Sequence, residues 1–520
     1  MRAALSRLLT VKSARGVSFV IYVITMLSKI LGYLRTLIVA WAFGTGAGMD
    51  AFHVANGIIS LFAGSVGQTL ENVVLPEIVR VRETTGDVPA CRQIAAFMSC
   101  LLIPLTALFC VAVFIAPGVL IGFFASGFDA ERVRMGASML WWLLPFAAIT
   151  MYKPMLDLWA LFTGRFTLSA ICSSVYNLVA IPTLLLGIPM IGVYSVGLST
   201  SLGNGVAFAL FAAALGGVPL VWRMKDFPWR SIARIAKNFV FMMIIIAAST
   251  IFVIVDRYFA SRLPGGSVAA ISYAAGIMSI VSLAATSPMS FFLSRISSLA
   301  VSSADESRRT VESTLALALA YFIPAGVFLM VSAKPLIALV YGWGNFDARS
   351  VGMTSTCLSA YSVSFAVSIS ATVIYRYAQA LQRLGTIAAL TYCLVFVNAF
   401  LDWAMVGRWG LMGLALATSI TQTLSFVLYY AVVMRGSPLS FLIRVRFFHQ
   451  IALAMVFASS VWYAGRWGLA AQGASAPAAA ALYLAAAERL GLMPRVPEHW
   501  RPSRLVKFLV SAAESCVKRK

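Results

Sequence analysis

Apolar runs about twenty residues long alternate along this chain with short polar segments rich in Lys and Arg. A bilayer-spanning helix needs about 20 mainly apolar residues. Runs of that length fall near 17–43, 51–76, 93–116, 136–162, 167–187 and 192–217. A second set follows near 238–261, 268–293, 311–332, 351–379, 386–405 and 411–433, and a thirteenth lies at 449–468. The Ala-rich stretch 474–493 offers a short fourteenth, interrupted by Glu488 and Arg489. The pattern predicts an all-α polytopic membrane protein with twelve core helices and one or two C-terminal ones.

Composition agrees. Of 520 residues, 61% are hydrophobic and 11% charged, where soluble proteins carry about 25% charged residues. A soluble enzyme, a secreted disulfide scaffold and a disordered chain are excluded. The net charge of +22 raises the question of nucleic acid, but the basic residues sit in the short loops. With the N-terminus in the cytoplasm, about 28 of the 40 Lys and Arg fall in cytoplasmic segments and about 7 in external loops. Five lie within helices: Lys29, Arg35, Lys153, Arg257 and Arg376. That asymmetry is the positive-inside bias, and no nucleic-acid partner is expected. The basic start, with Arg2, Arg7, Lys12 and Arg15, resembles a signal-peptide n-region. No small-residue cleavage site follows it, so the first helix reads as uncleaved. The seven cysteines form no C-x-x-C pair and read as small buried hydrophobes.

The chain also repeats itself. Gly127-Phe128-Asp129-Ala130 recurs as Asn345-Phe346-Asp347-Ala348, Pro104 as Pro324, Asn177 as Asn398 and Gly197 as Gly413, at offsets of 216 to 221. Two six-helix halves keep equivalent helices in the same orientation, which implies parallel repeats about an axis along the membrane normal. The expected layout has a basic cytoplasmic N-terminus (1–16), an N-lobe of six helices (17–217) and a basic cytoplasmic linker (218–237). A C-lobe (238–433), C-terminal helices (434–493) and a basic cytoplasmic tail (494–520) follow. Trp222 and Trp229, interleaved with the linker's cations, suggest an amphipathic segment at the headgroup boundary. Two lobes around a central cavity favour a transporter that alternates its access.

No enzyme constellation is present. His53, His449 and His499 are scattered, and there is no G-x-x-x-x-G-K-[ST] loop for ATP. Intramembrane charge is the informative signal, because each ionised residue at the bilayer centre costs roughly 2.5–3.5 kcal/mol and so faces a cavity or a partner. Lys29 and Arg35 on the first helix are about 240° apart, and Gly32 between them could bend the helix to bring both to one cavity. They suit an anionic headgroup such as a diphosphate; the alternative is a pair of snorkelling side chains. Asn398 and Asp402, at i and i+4, share a helix face. With Asp256 and Thr418 they form a set of hard oxygen ligands suited to Na⁺. Alternatively, Asp256 pairs with Arg257 or Arg376. Lys153 and Asp157 read as a structural i, i+4 ion pair, and Asp50, after a Gly-rich turn, as a cap for the second helix.

Ser28-Lys29-Ile30-Leu31-Gly32-Tyr33-Leu34-Arg35, Ala42-Phe43-Gly44 and Met49-Asp50-Ala51-Phe52 resemble the opening signature of the MurJ/MviN lipid II flippases. Gly164-Arg165-Phe166, Asp256-Arg257-Tyr258, Gly344-Asn345-Phe346 and Tyr375-Arg376-Tyr377-Ala378 extend the likeness over roughly residues 15–435. The resemblance implies a two-lobed bundle of twelve core helices plus two, in a superfamily shared with multidrug and polysaccharide exporters. It implies that Lys29 and Arg35 contact a lipid-linked diphosphate, with Lys29 in place of a family arginine, and that Asp50 is a functionally important acid of the substrate site. Asp256, Asn398, Asp402 and Thr418 fall where sodium-binding members place their ligands.

The sequence departs from the family at Ala63-Gly64-Ser65-Val66-Gly67-Gln68, where a basic pair and an Ala-Glu-Gly-Ala-like stretch are usual. It also departs near Gly276, where a cavity arginine is usual.

The expectation is a monomeric, multi-pass flippase of the bacterial inner membrane, not an enzyme. It carries a polyprenyl-diphosphate glycan, lipid II first, with no cofactor beyond Na⁺ as coupling ion. Flipping of another such glycan, or cation-coupled drug export, are the alternatives.

Overall fold

The computed structural model describes residues 14–86, 88–165, 167–217, 227–282, 304–381, 383–467, 469–490 and 492. The basic stretch 1–13, most of the linker (218–226), the second half of the 268–293 run and the tail 494–520 lie outside them. So do His499 and Cys516. The described parts of the expected runs are helical apart from a few run ends and a break at 363–364. These are α1 (Ala14–Phe43), α2 (Ala47–Ile59), α3 (Ser65–Thr85), α4 (Val88–Ile115), α5 (Pro117–Phe124), α6 (Ala130–Phe162), α7 (Thr167–Ile191) and α8 (Tyr194–Leu215). Then come α9 (Trp229–Ala260) and α10 (Ser267–Ser282). They are followed by α11 (Ala304–Val331), α12 (Ala333–Tyr341), α13 (Ala348–Ser362), α14 (Phe365–Ala380) and α15 (Leu384–Val433). The last are α16 (Pro438–Arg444), α17 (Phe447–Ala464) and α18 (Leu469–Arg489).

Among the described residues, ten helices are long and apolar enough to cross a bilayer, and α13 with α14, bent by 55°, would make an eleventh. The expected thirteen exceed this for two reasons. The described part of α10 is short, and α15 contains two runs joined at a break. Gly410 there takes φ 54° and ψ −132°, a conformation open only to glycine. A Cβ on Gly413 would lie 2.5 Å from the Met405 carbonyl oxygen, whereas a straight helix would separate those residues by about 12 Å. The chain therefore reverses at Gly410.

Two compact units emerge: residues 1–269 with 343–346, and residues 270–342 with 347–520. In the first, Leu70, Val74, Ile78, Ile94, Met155 and Ile235 form a buried core that ties α9 to α3, α4 and α6. Arg80 and Arg234 both bind the buried Glu77 carboxylate. That shared carboxylate joins α9 to α3, so α9, the seventh expected run, packs with the first six.

The tightest helix pair in this unit is α7 with α8, and the sequence shows why. Ser195, Ser199, Gly203 and Ala207 place a buried small residue at every fourth position of α8. Small residues let membrane helices approach closely, where packing rather than a hydrophobic driving force holds them. A Cβ on Gly203 would sit 2.8 Å from the Tyr176 carbonyl oxygen on α7.

In the second unit, Leu319, Phe365, Ile374, Phe426, Tyr430 and Tyr483 belong to one core. It is built from α11, α14, α15 and α18. The C-terminal α18 packs on α17 through Phe457 and Tyr483 (ring centroids 6.5 Å apart).

The repeat is visible in the element order. A long helix with an internal proline (Pro104 in α4, Pro324 in α11) leads to a short helix, α5 or α12, then to a Phe-Asp turn. Each aspartate caps the next helix. Asp129 accepts from the Arg132 N–H and Asp347 from the Ser350 N–H, both at 2.8 Å. These donated bonds hold both carboxyls below the usual aspartate range.

Two outcomes follow from this packing. Gly203→Leu should wedge α8 from α7 and cost about 1–3 kcal/mol, read as a lower thermal midpoint in detergent. Asp347→Ala should lower the midpoint by a constant amount from pH 8 down to about 5. The gap to wild type should close below about pH 4, because a carboxyl with a depressed pKa loses its stabilising role as pH falls through its folded value.

Candidate functional site

The first-helix cations part company. The helix α1 runs through Gly32 without a break, so Gly32 does not act as the expected hinge. It faces Asn177 instead: a Cβ there would stand in ordinary contact with the Asn177 amide, at 3.6 Å. Lys29 is exposed. Arg35 is half-buried, and its Nη1 donates to Thr200 Oγ1 on α8 (3.2 Å). Its guanidinium lies over the Tyr176 ring of α7, 5.0 Å from the centroid. The Arg35 Nε is buried and makes no hydrogen bond. Among the described residues no carboxylate pairs with Arg35, so its charge remains available to an anion. Tyr176 and Thr200 were not foreseen; the fourfold small-residue register of α8 was the sequence signal that could have placed Thr200 beside α1 and α7.

Asn177 fastens the same corner. Its Nδ2 donates to the Ser28 carbonyl oxygen (3.0 Å) and to that of Ser173 (3.2 Å). Lys153 and Asp157 form the expected i, i+4 pair at 2.5 Å. Arg257 donates to the His53 carbonyl oxygen (2.8 Å), and Arg376 is exposed and donates to Gln379 (3.2 Å).

Asp50 does not cap the second helix. Gly46 is the N-cap of α2 and supplies no side-chain bond. Asp50 instead caps α10: its Oδ2 accepts from the Gly266 N–H (2.6 Å) and its Oδ1 from the Ala269 N–H (2.8 Å). Arg132 Nη1 stands 4.0 Å away. The carboxylate is 1% exposed. A buried charge held by two helix-terminal donors is a positioning group. Gly266 sustains it with φ 96°, in a place where a Cβ would strike the Thr45 carbonyl oxygen. The sequence could not identify α10 as the partner, because 216 residues separate Asp50 from Gly266.

The expected sodium ligands are divided between the units. Asp256, on α9 in the first unit, is buried. Asn398 and Asp402, in the second, are wholly buried, and Asn398 Nδ2 donates to Asp402 Oδ2 at 2.9 Å. Thr418 lies beyond the Gly410 reversal, its hydroxyl donating to the Leu414 carbonyl oxygen (3.2 Å). Buried carboxylate, amide and hydroxyl oxygens are the donor chemistry of a small hard cation. A π-helical turn, Ser60–Gly64, joins α2 to α3, a feature that recurs at functional sites.

A family model described as the lipid II flippase MurJ matches residues 39–474. The chain belongs to that family. It is 26% identical over 352 residues to a probable lipid II flippase MurJ of Aquifex aeolicus, covering 65% of this chain and 67% of that protein. Its fold is that of a lipid II flippase MurJ solved in an inward-closed conformation, with a TM-score of 0.77, 19% identity, and 91% of this chain and 99% of that one covered. An inward-facing multidrug MATE transporter of the MOP superfamily shares it less closely, with a TM-score of 0.68, 15% identity, and coverage of 80% and 97%.

If Asp50 is the cap of α10, Asp50→Ala should cost about 1–3 kcal/mol of stability through two lost charge-assisted bonds. Asp50→Asn, with one acceptor for two donors, should fall between. Thermal unfolding in detergent, with Lys29→Ala as an exposed control at the wild-type midpoint, checks this. An unshifted Asp50→Ala would assign the residue to substrate contact.

Proposed function

We propose that this chain flips lipid II across the bacterial inner membrane, from the cytoplasmic to the outer leaflet, by alternating access and without covalent chemistry. The observation that carries the reading is Arg35, a half-buried cation with no carboxylate partner among the described residues, within a chain of the MurJ family. Two phosphates present the bidentate acceptors that a guanidinium matches. Lys29, exposed on the same helix, adds a second, more mobile charge. Asp50 positions α10 rather than touching the lipid. In this reading the N-terminus is cytoplasmic, the protein works as a monomer, and catalysis has no part.

Sodium is the proposed coupling ion, carried as cargo. Asp402 and Asn398, buried and bonded to each other, with Thr418 in the same unit, supply the oxygens. A neutralising cation removes the cost of moving a bare buried carboxylate. The membrane potential adds about 2.3 kcal/mol per charge per 100 mV.

Complementation of a strain depleted of its lipid II flippase tests the proposal. Wild type should rescue. Arg35→Ala at equal expression should fail, and Asp402→Ala should rescue weakly and lose its dependence on Na⁺. A well-expressed wild type that does not rescue would redirect the substrate to another polyprenyl-diphosphate glycan.

A further inference from the structure

Inside the first unit, α1, α6, α7 and α8 enclose a chamber of about 260 Å³. Ser28, Lys153, Tyr176, Asn177, Asn204 and Phe208 are among the residues that line it, with Phe211. At about 30 Å³ per water this is room for on the order of eight waters, or for one sugar ring. We propose that the chamber is a sugar subsite, which receives the ring attached to the diphosphate of the lipid-linked substrate. The inference rests on the reading of Arg35 as a diphosphate ligand.

The chemistry of the lining selects the class of ligand. Asn177 is 4% exposed, and its Oδ1 is buried with no hydrogen-bond partner. Its Nδ2 is held by the Ser28 and Ser173 carbonyl oxygens, so the amide is fixed in place at the chamber wall. A diphosphate diester is ionised at neutral pH and would need a cation that this lining does not leave unpaired. Lys153 is the one charged group among the described residues that line the chamber, and its ammonium is already paired with Asp157 at 2.5 Å. A free cation would meet that ammonium, and a free anion would have to displace Asp157. What remains is a neutral molecule rich in hydroxyl or amide N–H donors. Tyr176, Phe208 and Phe211 supply aromatic faces for the apolar face of such a ring, and the two asparagine amides supply directional bonds.

Placement points the same way. Tyr176 lines the chamber and carries the Arg35 guanidinium on its ring. Asn204 lies one turn from Thr200, the hydroxyl partner of Arg35, and its amide donates to the Thr200 carbonyl oxygen at 2.8 Å. The subsite and the diphosphate cation therefore share one side chain and one helix turn. A sugar joined directly to the diphosphate fits that adjacency.

The test compares two probes on the purified full chain in nanodiscs: a polyprenyl diphosphate, and the same lipid bearing one N-acetylglucosamine. Wild type should bind the glycosylated lipid about tenfold more tightly, the yield of one or two well-made hydrogen bonds. Asn204→Ala, and independently Ala207→Leu, which fills the chamber, should erase that advantage and leave affinity for the bare lipid within about twofold. Arg35→Ala should weaken both lipids together. Equal wild-type affinity for the two probes, or equal losses for both in Asn204→Ala, would overturn the subsite while the diphosphate reading stands. Failure of wild type to bind either probe would overturn the diphosphate reading and the subsite with it.

Discussion

A polar side chain inside hydrocarbon must find its partner within the protein, and in this chain that requirement decides where function can reside. Backbone groups satisfy themselves in helices; charged and amide side chains do not. Glu77 meets the demand with two arginines and Asp50 with two helix-terminal N–H groups. Asp402 draws on a neighbouring amide one turn away. Glu77 and Asp50 spend their charge on holding helices in place. Arg35 differs, since among the described residues no carboxylate pairs with it and its charge is kept for a ligand. Sites for a substrate arise from such unspent capacity.

Much of this was legible in sequence, because hydrocarbon imposes its length scale on every span. All thirteen expected apolar runs coincide with helices over their described parts. The repeat was legible for a physical reason as well: Phe-Asp-Ala recurs because each aspartate must cap a helix. Lys153 with Asp157 was readable as an i, i+4 pair. The family resemblance, read from residues 28–52 onward, agrees with the match over 39–474.

What stayed hidden depends on contacts between segments far apart in sequence. Gly32 looked like a hinge, but it is the surface on which Asn177 rests. Asp50 looked like a cap for its own helix, yet its donors come from another. The seventh run appeared by repeat to belong with the second six, while the shared Glu77 carboxylate packs it with the first. Local propensity is blind to each of these, because the deciding partner lies more than a hundred residues away.

The repeat finally explains how one fold came to hold two kinds of chemistry. Asn177 and Asn398 are equivalent by the offset of 221, and both are buried amides. Four residues on, the first half has Ile181 and the second has Asp402. The first amide stands beside an apolar residue, in an uncharged setting that suits the proposed sugar. The second, donating to a carboxylate, belongs to an acidic environment that suits a cation. A single exchange of isoleucine for aspartate at one helix position therefore separates the two environments, with the surrounding helical frame left as it was.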